Sequence, residues 1–519
     1  MIAQLSLAKT AKAVKEQPAE LVMSEFSLNQ DDFYNKFINE IKKSPRSTAA
    51  AITDVPAIEK NFEKDFLVIR EELIGNGIKG DPNQNGITTV EQLDKIINKY
   101  SDVNTYNGLS NQAKFVALQL RSLKPFKSFI FRAKRYIGGI SATRTMIVTA
   151  LRTQIAGIQT FFPVLGNSSV NHWEVVFNYI TQNTPDMGSE ILTDEHLYIF
   201  YTQLAYDYNK IVIDLEKLVV ADFKPIWWDN KLYMSFASFA SEKDRYVLLD
   251  KPELYSLYSA AQLNLSTLLS TTAYSFEGLR SSIKSIGELF GVDSISDGMK
   301  AIFDGKGAQG MSSHSRIKVL NKHPNLFTLM PDGKKRMEYA YACLKASVRA
   351  ARVSFEETKK LPEGRQNLFD PRVANAFNRI GGTSFSNVDQ LVDEKEPVTS
   401  AMINGERVKV SLKNFYMNPP EKLSDLYPTK WDLTSEGKLV EAPGYDDKRL
   451  RNYKYGMATE WKLEPYKKLF PDIQGYTDTN RTKNMKDYLR TKDVPKYARI
   501  LSQTWGSAIF AIPLGAAIF

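Results

Sequence analysis

Cysteine, histidine and long apolar runs are all scarce in this chain of 519 residues, and each scarcity excludes something. Cys343 is the one cysteine, so no disulfide framework can form. That fits a reducing compartment and equally an exported protein without disulfides. The histidines are His172, His196, His314 and His323, on separate segments and never in an H-x-x-x-H pair, which argues against a zinc site built from spaced ligands. No window reaches 18 apolar residues, which excludes an ordinary membrane-spanning helix. The first twenty residues, broken by Lys9, Lys12 and Lys15, lack the apolar core and small-residue cleavage site of a signal peptide.

Enzyme signatures are missing as well. There is no phosphate-binding GxxxxGK[ST], no G-x-G-x-x-G after a strand, no H-E-x-x-H and no G-x-S-x-G elbow. Gly305-Lys306-Gly307 has no strand before it and reads as a flexible turn. His314, within Ser312-Ser313-His314-Ser315, reads as an exposed loop histidine, because adjacency in sequence does not make a nucleophile–base pair.

What is present is a folding composition: 43% apolar, 24% charged and 11% aromatic residues. The net charge of +9 aids solubility and weakly favours acidic partners. It falls short of the dense basic stripe of a dedicated nucleic-acid binder. A basic run (Lys127, Arg132, Lys134, Arg135, Arg144, Arg152) lacks the interleaved aromatics of single-strand binders. It reads as a solvated helix face or a surface matched to an acidic neighbour.

Periodicity supplies the fold class: mainly α, a multi-helix bundle-like body with an irregular, Pro-rich C-terminal region and minor β. From Pro56 onward, Ile58, Phe62, Phe66, Ile69 and Leu73 share one helix face ending at Gly75-Asn76-Gly77. Thr88 and Glu91 have capping-box spacing before a helix with Leu93, Ile96 and Ile97. The clearest helix runs over 194–220, with Leu197, Tyr201, Leu204, Tyr208, Ile211, Leu215 and Leu218 on a broad stripe that suits a bundle. Asp250 and Glu253 bracket the start of another, and 251–290 carries so few charges that neighbouring helices or a partner should enclose it. A third long helix spans 335–359, while Arg407-Val408-Lys409-Val410 reads as extended. The chain divides into an arm (1–50), a helix-loop-helix region (51–105), a central helical body (106–303), a hinge and long helix (304–360), a Pro/Gly-rich wrapping region (361–480) and a basic segment with an apolar tail (481–519).

Three segments carry candidate function. Asp81-Pro82-Asn83-Gln84-Asn85-Gly86 resembles the first six positions of the EF-hand and dockerin calcium loop, with oxygens at positions 1, 3 and 5 and a turning glycine at 6. The resemblance implies calcium ligation by Asp81, Asn83, Asn85, the Ile87 carbonyl and, in an eleven-residue variant, Glu91. The required bidentate Glu at position 12 is Gln92, and Glu91 would have to leave its capping role. The competing expectation is an Asx-rich capping turn that binds nothing.

Trp227, Trp228 and Asp229, with Tyr233 nearby, offer aromatic and acidic groups that can stack on a sugar ring. This is the basis for a glycan-binding or hydrolase reading. The alternative is a helix-to-loop junction closing the core with aromatics.

Finally, Arg481, Lys483, Lys486, Arg490, Lys492, Lys496 and Arg499 against Asp487 and Asp493 make a basic segment. Trp505 and an uncharged stretch with Ile509, Phe510, Ile512, Leu514, Ile518 and Phe519 follow it. Full burial of those six apolar side chains is worth on the order of 9–18 kcal/mol as an upper bound. Such a stretch is expected to fold back into the core, to enter a groove of another subunit (the same or a different chain), or to dip peripherally into a membrane. The expected function is a non-enzymatic structural or assembly subunit anchored by its termini, with no resident cofactor unless calcium binds.

Overall fold

The computed structural model describes residues 62–74, 86–137, 172–229, 246–282, 321–361, 398–401, 407–426, 428–432, 457–469 and 471. The helices are α1 Lys64–Ile74, α2 Val90–Ser101, α3 Val103–Asn107, α4 Asn111–Leu123, α5 Phe129–Ile137, α6 His172–Thr181, α7 Asp194–Val220, α8 Lys251–Thr272, α9 Gly333–Lys359, α10 Leu412–Met417 and α11 Leu463–Leu469. Three antiparallel two-stranded ribbons accompany them among the described residues: β1 Ile226–Asp229 with β2 Tyr246–Leu249, β3 Val398–Ala401 with β4 Arg407–Val410, and β5 Pro428–Asp432 with β6 Met457–Trp461. The fold is mainly α with minor β, as the periodicity predicts.

Packing runs in the order α2, α4, α7, α8, α9, with α6 against α2 and α5, and α10 against α9. One hydrophobic core extends from Phe66 through Leu469. Most of the α7 stripe is inward: Leu197, Leu204, Tyr208, Ile211, Leu215 and Leu218 are buried, as are Val212 and Val219. The helix spans the predicted residues; Thr193 caps its start, its side chain accepting the His196 N–H, and the Ala221 N–H closes its end on the Leu218 carbonyl. Charge-poor α8 is enclosed between α7 and α9, and the Asp250/Glu253 capping box opens it as expected.

The other predicted cap moves by one residue. Thr89, not Thr88, is the N-cap of α2, and Gln92, not Glu91, completes the box. Ile87 decides the register. Its side chain is buried and its N–H donates to the Leu73 carbonyl at 3.0 Å, so the chain enters α2 with Thr89 extended and Val90 buried at the first helical position. The Gln92 side-chain oxygen then accepts the N–H groups of Thr88 (2.8 Å) and Thr89 (3.1 Å).

Helices α8 and α9 form an antiparallel pair with a seven-residue repeat. Ser354 donates to the Pro252 carbonyl (2.7 Å), Ser259 to the Ser347 carbonyl (2.8 Å) and Ser266 to the Ala340 carbonyl (2.7 Å). Positions 252, 259 and 266 thus meet 354, 347 and 340 in turn, the spacing of a heptad seam. Small side chains at the seam let each hydroxyl reach the opposite backbone. One further step pairs Ala273 with Gly333. There a Cβ on Gly333 would stand 2.4 Å from the Ala273 carbonyl oxygen.

Asp194 ties the start of α7 to two other elements. Its carboxylate accepts the Tyr136 hydroxyl from α5 (2.7 Å) and the backbone N–H groups of Gly278 (2.8 Å) and Arg280 (3.0 Å). Gly278 has φ +90°, and a side chain there would also strike His323, so only glycine fits this turn. The segment after residue 410 lies on the helical body. Leu329 N–H donates to the Glu421 carbonyl, Leu423 N–H to the Phe327 carbonyl, and the Tyr274 hydroxyl to the Pro420 carbonyl.

Candidate buried polar site

The long-range packing brings together groups that lie far apart in the chain. On α7, Glu216 follows Val212 by four residues and precedes Val219 by three, so it sits on the flank of the apolar stripe and turns inward. Its Oε1 accepts the Tyr258 hydroxyl from α8 at 2.8 Å. Gln262, one turn along α8, donates its amide Nε2 to the same phenolic oxygen at 2.7 Å. Cys343 on α9 lies within electrostatic reach of Glu216 and Tyr258. Tyr258 is 2% exposed, and Gln262 and Cys343 are fully buried.

Burial dominates the electrostatics. It pushes the Glu216 carboxyl up to about 7, against the smaller opposing effects of the Tyr258 hydrogen bond and the Lys217 charge. Burial, and then the Glu216 charge, push the Tyr258 phenol well above its usual range. The Cys343 thiol is likewise driven up, first by burial and then by Glu216. A carboxyl poised near neutrality beside a phenol and a thiol resembles an acid–base constellation. Tyr258, Gln262 and Cys343 are closed between helices, and the hydrogen bond from Tyr258 to Glu216 fastens α8 to α7. Native Cys343 is therefore expected to resist a disulfide exchange reagent at pH 8, reacting about a thousandfold or more slowly than a free thiol. Denaturant should release the full reactivity; rapid labelling of the folded chain would contradict the packing.

The candidates read from the sequence fare differently. Trp227, Trp228 and Asp229 form part of strand β1, paired through the backbone with Leu248, Val247 and Tyr246. The segment is therefore a ribbon strand, not the helix-to-loop junction expected, because β2 supplies a pairing partner that lies outside any local window. Tyr233 lies outside the described residues, as do the side chains of those three. Asp81, Asn83 and Asn85 also lie outside them. Ile87 and Glu91 are described: Ile87 is buried, and Glu91 is exposed and takes no part in the α2 cap. Trp505, Ile509, Phe510, Ile512, Leu514, Ile518 and Phe519 lie outside the described residues.

Two cations of the basic run, Lys127 and Arg132, make contacts within the chain. Lys127 pairs with Asp94 at 2.8 Å, and its neighbour Arg121 pairs with Asp214 at 2.8 Å. Arg132 donates to the Ser189 carbonyl at 2.8 Å with its guanidinium over the Phe200 ring. Lys127 and Arg132 thus serve contacts within the chain.

Among the described residues, no group of three or more His, Cys, Asp or Glu is arranged to hold a metal ion, and no helix is long and apolar enough to cross a membrane. The chain matches no known family pattern, no curated protein and no solved structure.

Proposed function

We propose that this chain is a structural subunit that assembles with protein partners, the helical body serving as a rigid framework and the segments outside it making the attachments. The observation that carries this reading is how the interior polar groups are used. Tyr258 joins α8 to Glu216 of α7 and is itself held by Gln262, and Ser259, Ser266 and Ser354 stitch α8 to α9. The groups best suited to chemistry are thus committed to holding the framework. The apolar stretch 508–519 behind its basic segment supplies surface whose burial would drive association, with a second subunit or peripherally with an anionic membrane.

Deleting residues 506–519 is expected to reduce the assembled mass or release the protein from its attachment while leaving helical circular dichroism unchanged. Size-exclusion chromatography with mass detection reads the first quantity. An unchanged mass and location in a folded variant would remove the reading.

One observation favours a second reading, calcium binding by the loop that begins at Asp81. Gln92 takes over the capping role, so Glu91 is left free of the duty that conflicted with ligation. With few carboxylates the affinity would be modest. Titration calorimetry should then show calcium heat that is lost in Asp81→Ala. No heat in the wild type would end this reading.

A further inference from the structure

Helix α7 packs against both α4 and α8, and a narrow cleft lies where the three come together. Leu118, Leu215 and Leu257 give it apolar walls, while Gln119, Tyr208 and Asn264 give it polar ones. Gln119 is the anomaly. It occupies a core position of α4 between the buried Leu118 and Leu120, is 1% exposed, and neither its amide nitrogen nor its amide oxygen has a hydrogen-bond partner. An unpaired donor and acceptor in a protein interior carry the full cost of leaving water. An apolar side chain would fill the same position without that cost.

Size selects the ligand. The cleft has about 20 Å³ of room for water centres. A single water needs roughly 10–15 Å³ on that measure and takes two to four polar partners. The terminal torsion of glutamine is broad and soft, so turning the amide toward the cleft is inexpensive. Burial pushes the Tyr208 phenol up to about 12, which keeps it a neutral hydroxyl at physiological pH.

We propose that this cleft is a hydration site in which one ordered water pairs with the Gln119 amide and links α4 to the α7–α8 pair. The water explains how the Gln119 amide is accommodated at a buried position of α4. Because it offers both a donor and an acceptor, it can satisfy both ends of the amide where a protein side chain supplies neither.

A crystal structure of the full chain tests the site directly. A single peak of density within hydrogen-bond distance of the Gln119 amide is expected; ordered side chains around an empty cleft would overturn the proposal. Chemical denaturation of Gln119→Met gives a second reading. If water already satisfies the amide, the folded-to-unfolded ratio should stay within about threefold of wild type. A dry cleft predicts instead that methionine raises that ratio tenfold or more, by relieving an unmet desolvation cost. Should the variant fail to fold, the density in the wild-type crystal decides alone.

Discussion

Glu216→Gln should make the protein more stable at pH 8 by up to about 3 kcal/mol and should flatten its stability profile between pH 4.5 and 7. The sign follows from proton counting. The ordinary carboxyl value is 4.5, and burial in the fold raises it to about 7. Below pH 4.5 the group is neutral in both states and costs nothing. Between 4.5 and 7 the folded chain keeps a proton that the unfolded chain has released, so stability falls as pH rises. Above 7 the carboxylate is ionised in both states, and the cost of burying its charge is fully present. Glutamine keeps an oxygen for the Tyr258 hydroxyl and carries no charge, so it removes the cost without removing the acceptor. Urea unfolding of both proteins at pH 5, 6, 7 and 8 measures the difference. An equal fall in stability with pH in both would mean that another group carries the slope.

Gly333→Ala is expected to destabilise the protein by about 2–3 kcal/mol, against the usual gain from replacing a helical glycine by alanine. The new Cβ would lie 2.4 Å from the Ala273 carbonyl oxygen and 2.7 Å from Leu329. That carbonyl already accepts the Met330 N–H at 2.9 Å, so it cannot swing aside without breaking a second contact. The helices must separate at this end of the seam or the chain must bend. Gly108→Ala is the matched control. Its φ is −77° and its nearest backbone atoms would be 3.7 Å from the added carbon, an ordinary contact. There the loss of unfolded-state freedom should leave stability unchanged or raise it by about 0.4–1 kcal/mol. Equal thermal midpoints for wild type and Gly333→Ala would show that the seam has slack the geometry does not display.

Local order was legible in the sequence wherever the deciding forces are local. The α7 stripe marked the span of that helix, because its side-chain period lies within one segment. The α8 capping box was legible for the same reason, and the poverty of charge in α8 foretold its enclosure. The α2 cap shifted by a single residue because a distant acceptor, the Leu73 carbonyl, holds Ile87 in place. The β1 strand escaped notice because a two-stranded ribbon is defined by its partner.

The buried polar site was half visible. Glu216 interrupts the broadened stripe between Val212 and Val219, a spacing that marks an acid facing inward. Tyr258 and Gln262 stand one turn apart on a helix with few charges. Nothing in either segment identifies the other as its partner. The same is true of the heptad seam: serines at 259 and 266 repeat by seven, but a hydroxyl shows no preference for a carbonyl about eighty residues away.

The sequence by itself determined the long helices α7, α8 and α9, the inward face of α7 and the lack of a disulfide framework, since propensity, period and residue counts need no long-range partner. Only the tertiary structure decided that α8 and α9 meet in heptad register, that Glu216 is held close to neutrality, and that Gln119 is stranded beside a water-sized cleft. Each of these depends on the desolvation and hydrogen bonding imposed by neighbours from remote parts of the chain, and those terms exist only once the helices have packed.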